Sequence, residues 1–74
     1  MCTLDTLRPG ESAVVESIRS SPAAASRLSD MGIVPGTEVT LLRAAPFGDP
    51  LVFSLKGYRL AMRRRDAAKV EVSG

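Results

Sequence analysis

The chain has 74 residues, which is room for one domain, since a domain usually takes about 100 to 200 residues. It has no histidine and one cysteine, Cys2, so catalytic groups that need a histidine base and zinc sites built from histidine or paired cysteines are excluded. Ten Lys and Arg residues against eight Asp and Glu give a net charge of +2, which is a weak argument for nucleic acid as the partner.

The small size favours a binding module over an enzyme. A chain of this length hides only about 60% of its unfolded surface, and a catalytic cleft usually needs a few hundred Å³. We expect one domain over residues 1–74, no catalytic residues and no cofactor. The lone Cys2, in a terminus expected to be loose, fits a reducing cytoplasm, and no stretch of apolar residues suits a membrane helix or a cleaved leader.

Two Pro-Gly turns open two of the predicted strands. Residues 8–11 and 34–37 each place proline where φ near −65° is wanted and glycine where φ must be positive, as a type II turn requires. Runs rich in β-branched and aliphatic residues follow over residues 12–19 and 37–43. The sequence therefore predicts a strand after each turn.

One short helix is predicted between these strands. Ser21 can cap it, Pro22 suits its first position, and Gly32 can end it in a left-handed conformation. The apolar side chains that share one face of this helix are Ala24, Leu28 and Met31. The same stripe can serve either as core or as a contact surface.

A β-hairpin over residues 51–62 is the clearest local signal. A two-residue loop, Lys56-Gly57, pairs Leu55 with Tyr58 and carries the pairing on to Leu51 and Met62. A last strand follows at residues 69–72, after a turn at residues 67–68. Five short strands and one helix predict an all-β fold, a small SH3-like β-barrel, because barrel closure protects the edges of bent strands.

The polar residues show no catalytic or phosphate-binding pattern. The eight carboxylates have no spacing that demands a shared site, and the glycines form no phosphate-binding loop. With one thiol and no imidazole, we expect no intrinsic transition-metal site. The cluster Arg63–Arg65 is expected at a strand end, alternating between faces, where it can meet water or an acidic partner surface.

The segment Ala45–Pro50 is the most informative loop. Two prolines and a glycine stiffen it, and Phe47 is a large apolar residue in a connection expected at the surface. Phe47 can either fold back over the barrel or contact a partner. The helix end around Leu28, Met31 and Ile33 offers the same two alternatives.

Three blocks of the sequence resemble those of a known family. They are Arg27-Leu28-x-x-Met31-Gly32-Ile33-x-Pro35-Gly36, then Ala45–Pro50, then Gly57–Arg64 with Asp66-Ala67. Over nearly its whole length the chain resembles the ferrous iron transport protein A (FeoA) family. The resemblance implies a cytoplasmic bacterial SH3-like barrel that works with ferrous iron transport protein B, a membrane permease with a cytoplasmic GTPase domain, and so lies at the inner membrane where it meets that partner.

The resemblance and the composition together predict an interaction protein. Without histidine, the chain is poorly equipped to carry ferrous iron, so we expect it to act by binding the permease. The candidate contact residues are Leu28, Met31, Pro46, Phe47 and Asp49. An alternative is kinship with the C-terminal domain of iron-dependent repressors, with a role in transcription or direct metal binding. Activation or restraint of transport, the part of the permease contacted and self-association stay open.

Overall fold

The computed structural model describes residues 2–73, which form one six-stranded antiparallel sheet with a nine-residue helix and two short helical turns. In chain order the elements are β1 (Cys2–Thr3), a 3-10 turn (Leu4–Thr6), β2 (Ser12–Ile18), α1 (Pro22–Asp30), β3 (Glu38–Ala44), β4 (Leu51–Leu55), β5 (Tyr58–Met62), α2 (Arg64–Ala67) and β6 (Val70–Ser73). The strand order is β1-β6-β2-β3-β4-β5, so β1 and β5 are the two edges of the sheet. The predicted all-β fold with one short helix is confirmed.

Both Pro-Gly turns form as predicted. Gly10 and Gly36 have φ values of 90° and 92°, the positive values that a type II turn needs at its third residue. A backbone hydrogen bond from the fourth residue to the first closes each turn, at 2.9 Å in residues 8–11 and 3.1 Å in residues 34–37. The turns lead into β2 and β3.

Helix α1 begins and ends at the predicted residues. The Ser21 hydroxyl accepts a hydrogen bond from the Ala24 backbone N–H at 3.3 Å, which caps the first turn. Gly32, at a φ of 97°, reverses the chain, and the Ile33 N–H then donates to the Leu28 carbonyl at 3.0 Å. This closing turn brings Ile33 and Leu28 into the core together.

The β4–β5 hairpin has the predicted register throughout. Leu55 faces Tyr58 and Leu51 faces Met62 across a turn whose two residues, Lys56 and Gly57, both have positive φ. Leu51, Phe53 and Leu55 of β4 are all buried. The buried apolar residues are Leu4, Ala13, Val15, Leu28, Ile33, Val39, Leu41, Leu51, Phe53, Leu55, Met62, Ala67, Val70 and Val72.

Three expectations of the sequence were wrong. Cys2 and Thr3 are not a loose segment, because they pair with Val72 and Glu71 in a sixth strand. The segment Arg64–Ala67 is a helical turn, so the arginine cluster does not alternate along a strand, and residues 67–68 are not a separate turn. The helical turn reverses the chain toward β6 and places Ala67 fully inside the core, which an extended strand end would not do.

Candidate interaction surface

The loop over residues 45–50 holds Phe47 away from the rest of the protein. The Ala45 N–H donates to the Pro50 carbonyl at 2.9 Å, and the Gly48 N–H donates to the Ala45 carbonyl at 2.7 Å. Phe47 lies between these bonds, and 99% of it is exposed. Its ring therefore does not fold back over the sheet, which is open between its edges β1 and β5, but lies at the tip of the loop.

Arg64, the first residue of α2, holds this loop from the side. Its Nε and Nη2 atoms donate to the Gly48 carbonyl at 3.1 and 2.9 Å, and its Nη1 donates to the Asp5 carbonyl at 3.4 Å. The Arg64 backbone N–H donates to Oδ1 of Asp49 at 2.8 Å. One residue thus joins the loop, α2 and the N-terminal 3-10 turn.

Asp49 acts as the cap of α2 although it lies far from it in sequence. Arg63, the residue that precedes the helix, makes no capping hydrogen bond with its side chain. The Asp49 carboxylate takes that role by accepting the first N–H of the helix, and a carboxylate cap typically stabilises a helix by about 1 kcal/mol. Asp49, chosen from the sequence as a contact candidate, therefore also shapes its own loop.

The helix end around Met31 is fixed to the start of β5. The Tyr58 hydroxyl donates to the Met31 carbonyl at 2.7 Å. The Tyr58 hydroxyl also lies close to Gly32, since a Cβ atom added to Gly32 would be 2.0 Å from the hydroxyl oxygen. Met31 is half-buried, whereas Leu28 is 4% exposed and belongs to the core.

The five sequence candidates do not form one patch. The 45–50 loop adjoins the end of the hairpin where Leu51 faces Met62, while Met31 adjoins the other end, where Leu55 faces Tyr58. Four strand steps of about 3.3 Å separate these ends, or about 13 Å. The loop brings Pro46, Phe47 and Asp49 together. Leu28 offers no side-chain surface to a partner.

One carboxylate, that of Glu71, is buried between two strands. Glu71 accepts a hydrogen bond from the Ser17 hydroxyl and forms an ion pair with Nε of Arg19 at 3.1 Å. This pairing supports the contact of β2 with β6. Over residues 2–73, no three His, Cys, Asp or Glu side chains are grouped so as to hold a metal ion.

Residues 2–73 contain no helix with the length and apolar character needed to cross a membrane.

What the fold and surface define is a small β domain that presents one stiff, apolar loop. A model of the FeoA domain matches residues 2–74, and the chain therefore belongs to the FeoA family, as the sequence blocks indicated.

Relatives agree on the family and on the fold. The chain is 35% identical over 69 residues to the Fe(2+) transport protein A/Fe(2+) transporter FeoB fusion protein of Porphyromonas gingivalis, covering 93% of this chain and 8% of that protein. The solution structure of FeoA from Chlorobium tepidum has a TM-score of 0.90 and 39% identity, covering 97% of this chain and 69% of that one.

The zinc complex of FeoA from Stenotrophomonas maltophilia, an SH3 domain protein, has a TM-score of 0.85 and 36% identity, covering 99% of this chain and 91% of that one. The predicted SH3-like fold is confirmed by this similarity. IdeR of T. acidophilum has a TM-score of 0.84 at 16% identity, covering 97% of this chain and 33% of that one. At that identity, the likeness to IdeR is one of fold alone.

Proposed function

We propose that this protein is an accessory component of bacterial ferrous iron uptake that acts by binding the membrane permease FeoB. The observation that carries the proposal is the Porphyromonas gingivalis fusion, in which an FeoA region and FeoB are parts of one polypeptide. Contact is favoured over metal carriage because this chain has no histidine and one thiol, while ferrous iron favours imidazole donors. Iron is then the cargo of the permease.

The 45–50 loop is the proposed contact surface, with Phe47 as its anchor. A phenylalanine moved from water into an apolar pocket contributes about 1.5 to 3 kcal/mol. The hydrogen bonds within the loop and from Arg64 already hold it in place, so little conformational entropy is lost on docking. Pro46 and Asp49 lie in the same loop as Phe47, and Met31 belongs to a separate part of the surface.

The proposed mechanism is a shift between two states of the permease. A rigid domain changes such an equilibrium only by binding one state more tightly than the other. The GTPase domain of the permease or its pore is the element that this protein would shift. The domain itself needs no conformational change and no bound metal for this role.

Replacing Phe47 with alanine tests the proposal. Binding of the purified variant to detergent-solubilised FeoB should weaken by about 10- to 100-fold, the equivalent of the apolar transfer energy of one ring. The matched control is Val14→Ala, which trims another exposed apolar side chain, on β2. Iron uptake by a strain that carries Phe47→Ala should fall as well. Unchanged binding and uptake would remove the loop from the contact surface.

A further inference from the structure

Strand β5 is an edge of the sheet and pairs with a neighbouring strand on one side only. It lies last in the strand order and bonds only with β4. Within residues 2–73, no backbone hydrogen bond from outside this hairpin reaches residues 58–62. The opposite edge, β1, has two residues, whereas β5 has five, which is long enough to template another strand.

The register of the hairpin shows which backbone groups face the open edge. In a hairpin with a two-residue loop, the flanking residues, here Leu55 and Tyr58, are a hydrogen-bonded pair. Pairs alternate along an antiparallel ladder, so Arg59 and Ala61 lie in non-hydrogen-bonded pairs with β4. Their N–H and C=O groups therefore point away from β4, toward the free edge.

The same stretch carries positive charge on its outer face. Leu60 packs against the core and Met62 is buried, so Arg59 and Ala61, which alternate with them, lie on the exposed face, followed by Arg63. Neither Arg59 nor Arg63 forms a salt bridge with any carboxylate of residues 2–73. Two guanidinium groups without an ion-pair partner in residues 2–73 thus flank the outward-facing backbone of Ala61.

A groove of about 300 Å³ adjoins this edge at the end of β5. Its lining combines the small apolar surfaces of Pro50 and Ala61 with the side chains of Asp49 and Arg63. Alternate side chains of a strand point to the same face. A strand added beside β5 would therefore have room for a side chain in this groove while its backbone meets Arg59 and Ala61.

We propose that the β5 edge binds an extended acidic segment of a partner protein by strand addition. The backbone of the segment would form hydrogen bonds with the backbone of Arg59 and Ala61, and its carboxylates would lie against Arg59 and Arg63. Addition of a strand to an exposed sheet edge is a known way of recognising extended peptides. This proposal does not rest on the proposed function, because its occupant is defined by the edge and its charges and needs no contact with Phe47.

Other occupants fit the edge less well. A second copy paired through β5 would bring its own Arg59 and Arg63 against these side chains, and like charges across a strand pair are unfavourable. Lipid headgroups and nucleic acids would leave the ladder of outward N–H and C=O groups without strand partners. The net charge of +2 also gives little attraction for a polyanion.

A short synthetic peptide, acetyl-Thr-Glu-Val-Glu-Val-Glu-Thr-amide, serves as the probe in a titration of the ¹⁵N-labelled chain. Saturable chemical-shift changes should centre on the amides of Arg59 and Ala61, and hydrogen exchange of these two amides should slow as they gain partners. Binding should weaken as NaCl is raised, because the ion pairs are exposed. The corresponding peptide with lysine in place of glutamate should not bind.

Two controls separate strand addition from charge attraction alone. Two versions of the peptide are N-methylated, one on its odd-numbered residues and the other on its even-numbered residues. Alternate N–H groups of a strand point to opposite sides, so one version loses the donors that face β5 and should fail to bind, and the other should still bind. The double variant Arg59→Glu/Arg63→Glu should bind the probe at least about tenfold more weakly, while Arg27→Glu/Lys69→Glu, an equal charge change on exposed residues elsewhere, should bind it normally.

Several results would overturn the proposal. They are absence of saturable binding, shift changes centred away from β5, equal binding of both N-methylated peptides, or equal loss in the two charge-reversed variants. Tighter binding of phosphatidylserine vesicles or of a single-stranded oligonucleotide than of the peptide would also overturn it. Phe47→Ala should bind the probe normally, so failure of the permease contact and failure of the edge contact are distinguishable.

Discussion

Replacing Arg64 with methionine should loosen the 45–50 loop without altering the surface that the loop exposes. Methionine keeps an unbranched aliphatic stem but cannot donate to the Gly48 carbonyl, which now receives bonds at 3.1 and 2.9 Å, or to the Asp5 carbonyl at 3.4 Å. The backbone N–H of residue 64 can still donate to Asp49, as it now does at 2.8 Å. The variant therefore removes only the side-chain contacts.

The expected loss follows from these bonds. Both short bonds end on one half-buried carbonyl, so they act as a single bidentate contact, and the 3.4 Å bond adds little. A hydrogen bond from a charged donor contributes about 1.5 to 3 kcal/mol when well shielded and less when exposed. Arg64 is exposed, so the free energy of unfolding should fall by about 1 to 2 kcal/mol.

Urea unfolding followed by circular dichroism measures this loss, and Arg65→Met is the matched control. Arg65 lies in the same helix and carries the same charge, but its side chain makes no hydrogen bond with any residue of 2–73. Binding to FeoB supplies a second measurement. If the lost contacts free one residue of the loop, ordering that residue again on docking costs about 1 to 2 kcal/mol, so affinity should fall about 5- to 30-fold.

A double-mutant cycle with Phe47→Ala decides whether Arg64 acts through the ring. If Arg64 only positions Phe47, the double variant should bind FeoB no more weakly than Phe47→Ala alone. Additive losses would mean that Arg64 contacts the partner itself. Equal unfolding free energies for Arg64→Met and Arg65→Met would show that the side-chain bonds to the loop do not stabilise it.

Two further predictions concern the helix end and the metal. Gly32→Ala should destabilise the protein by about 2 to 3 kcal/mol in urea unfolding, because φ is 97° and the new Cβ would be 2.0 Å from the Tyr58 hydroxyl oxygen. In a Tyr58→Phe background the penalty should shrink by about 1 kcal/mol, and an equal penalty in both backgrounds would contradict the contact. Anaerobic calorimetric titration with ferrous iron or zinc should show no tight stoichiometric binding, and a tight 1:1 complex would refute the argument from the absence of imidazole and paired thiols.

The features that the sequence predicted well are those with a local cause. The two Pro-Gly turns need positive φ at one residue, and glycine supplies it wherever the rest of the chain lies. The hairpin over residues 51–62 fixes its own register, because a slip by one residue would turn Leu51, Phe53 and Leu55 toward water. Neither feature depends on a distant partner.

The features that it missed depend on contacts between distant parts of the chain. Cys2 and Thr3 become a strand only because β6, at the other end of the sequence, provides a ladder for them. Helix α2 begins where Asp49, 15 residues earlier, accepts its first N–H. Three arginines in a row carry no local sign of that carboxylate, so a strand end was the natural but wrong expectation.

The candidate site was predictable in part for the same reason. The exposure of the 45–50 loop follows from its prolines and glycine, but the bonds from Arg64 that fix it are long-range. The sequence alone does not tell which apolar residues of α1 belong to the core and which face outward, because Leu28 and Met31 lie on the same helix face and have similar character. In the structure Leu28 packs in the core, whereas Met31 is half-buried and its carbonyl accepts a hydrogen bond from the Tyr58 hydroxyl.

The two proposed surfaces meet at Asp49. This residue follows Phe47 by two positions in the loop and also lines the groove beside Ala61 and Arg63. A partner with an apolar pocket and an acidic extended segment could therefore engage both surfaces at once. Two modest contacts joined in this way act at a high effective concentration, so the two together would bind such a partner more tightly than either contact alone.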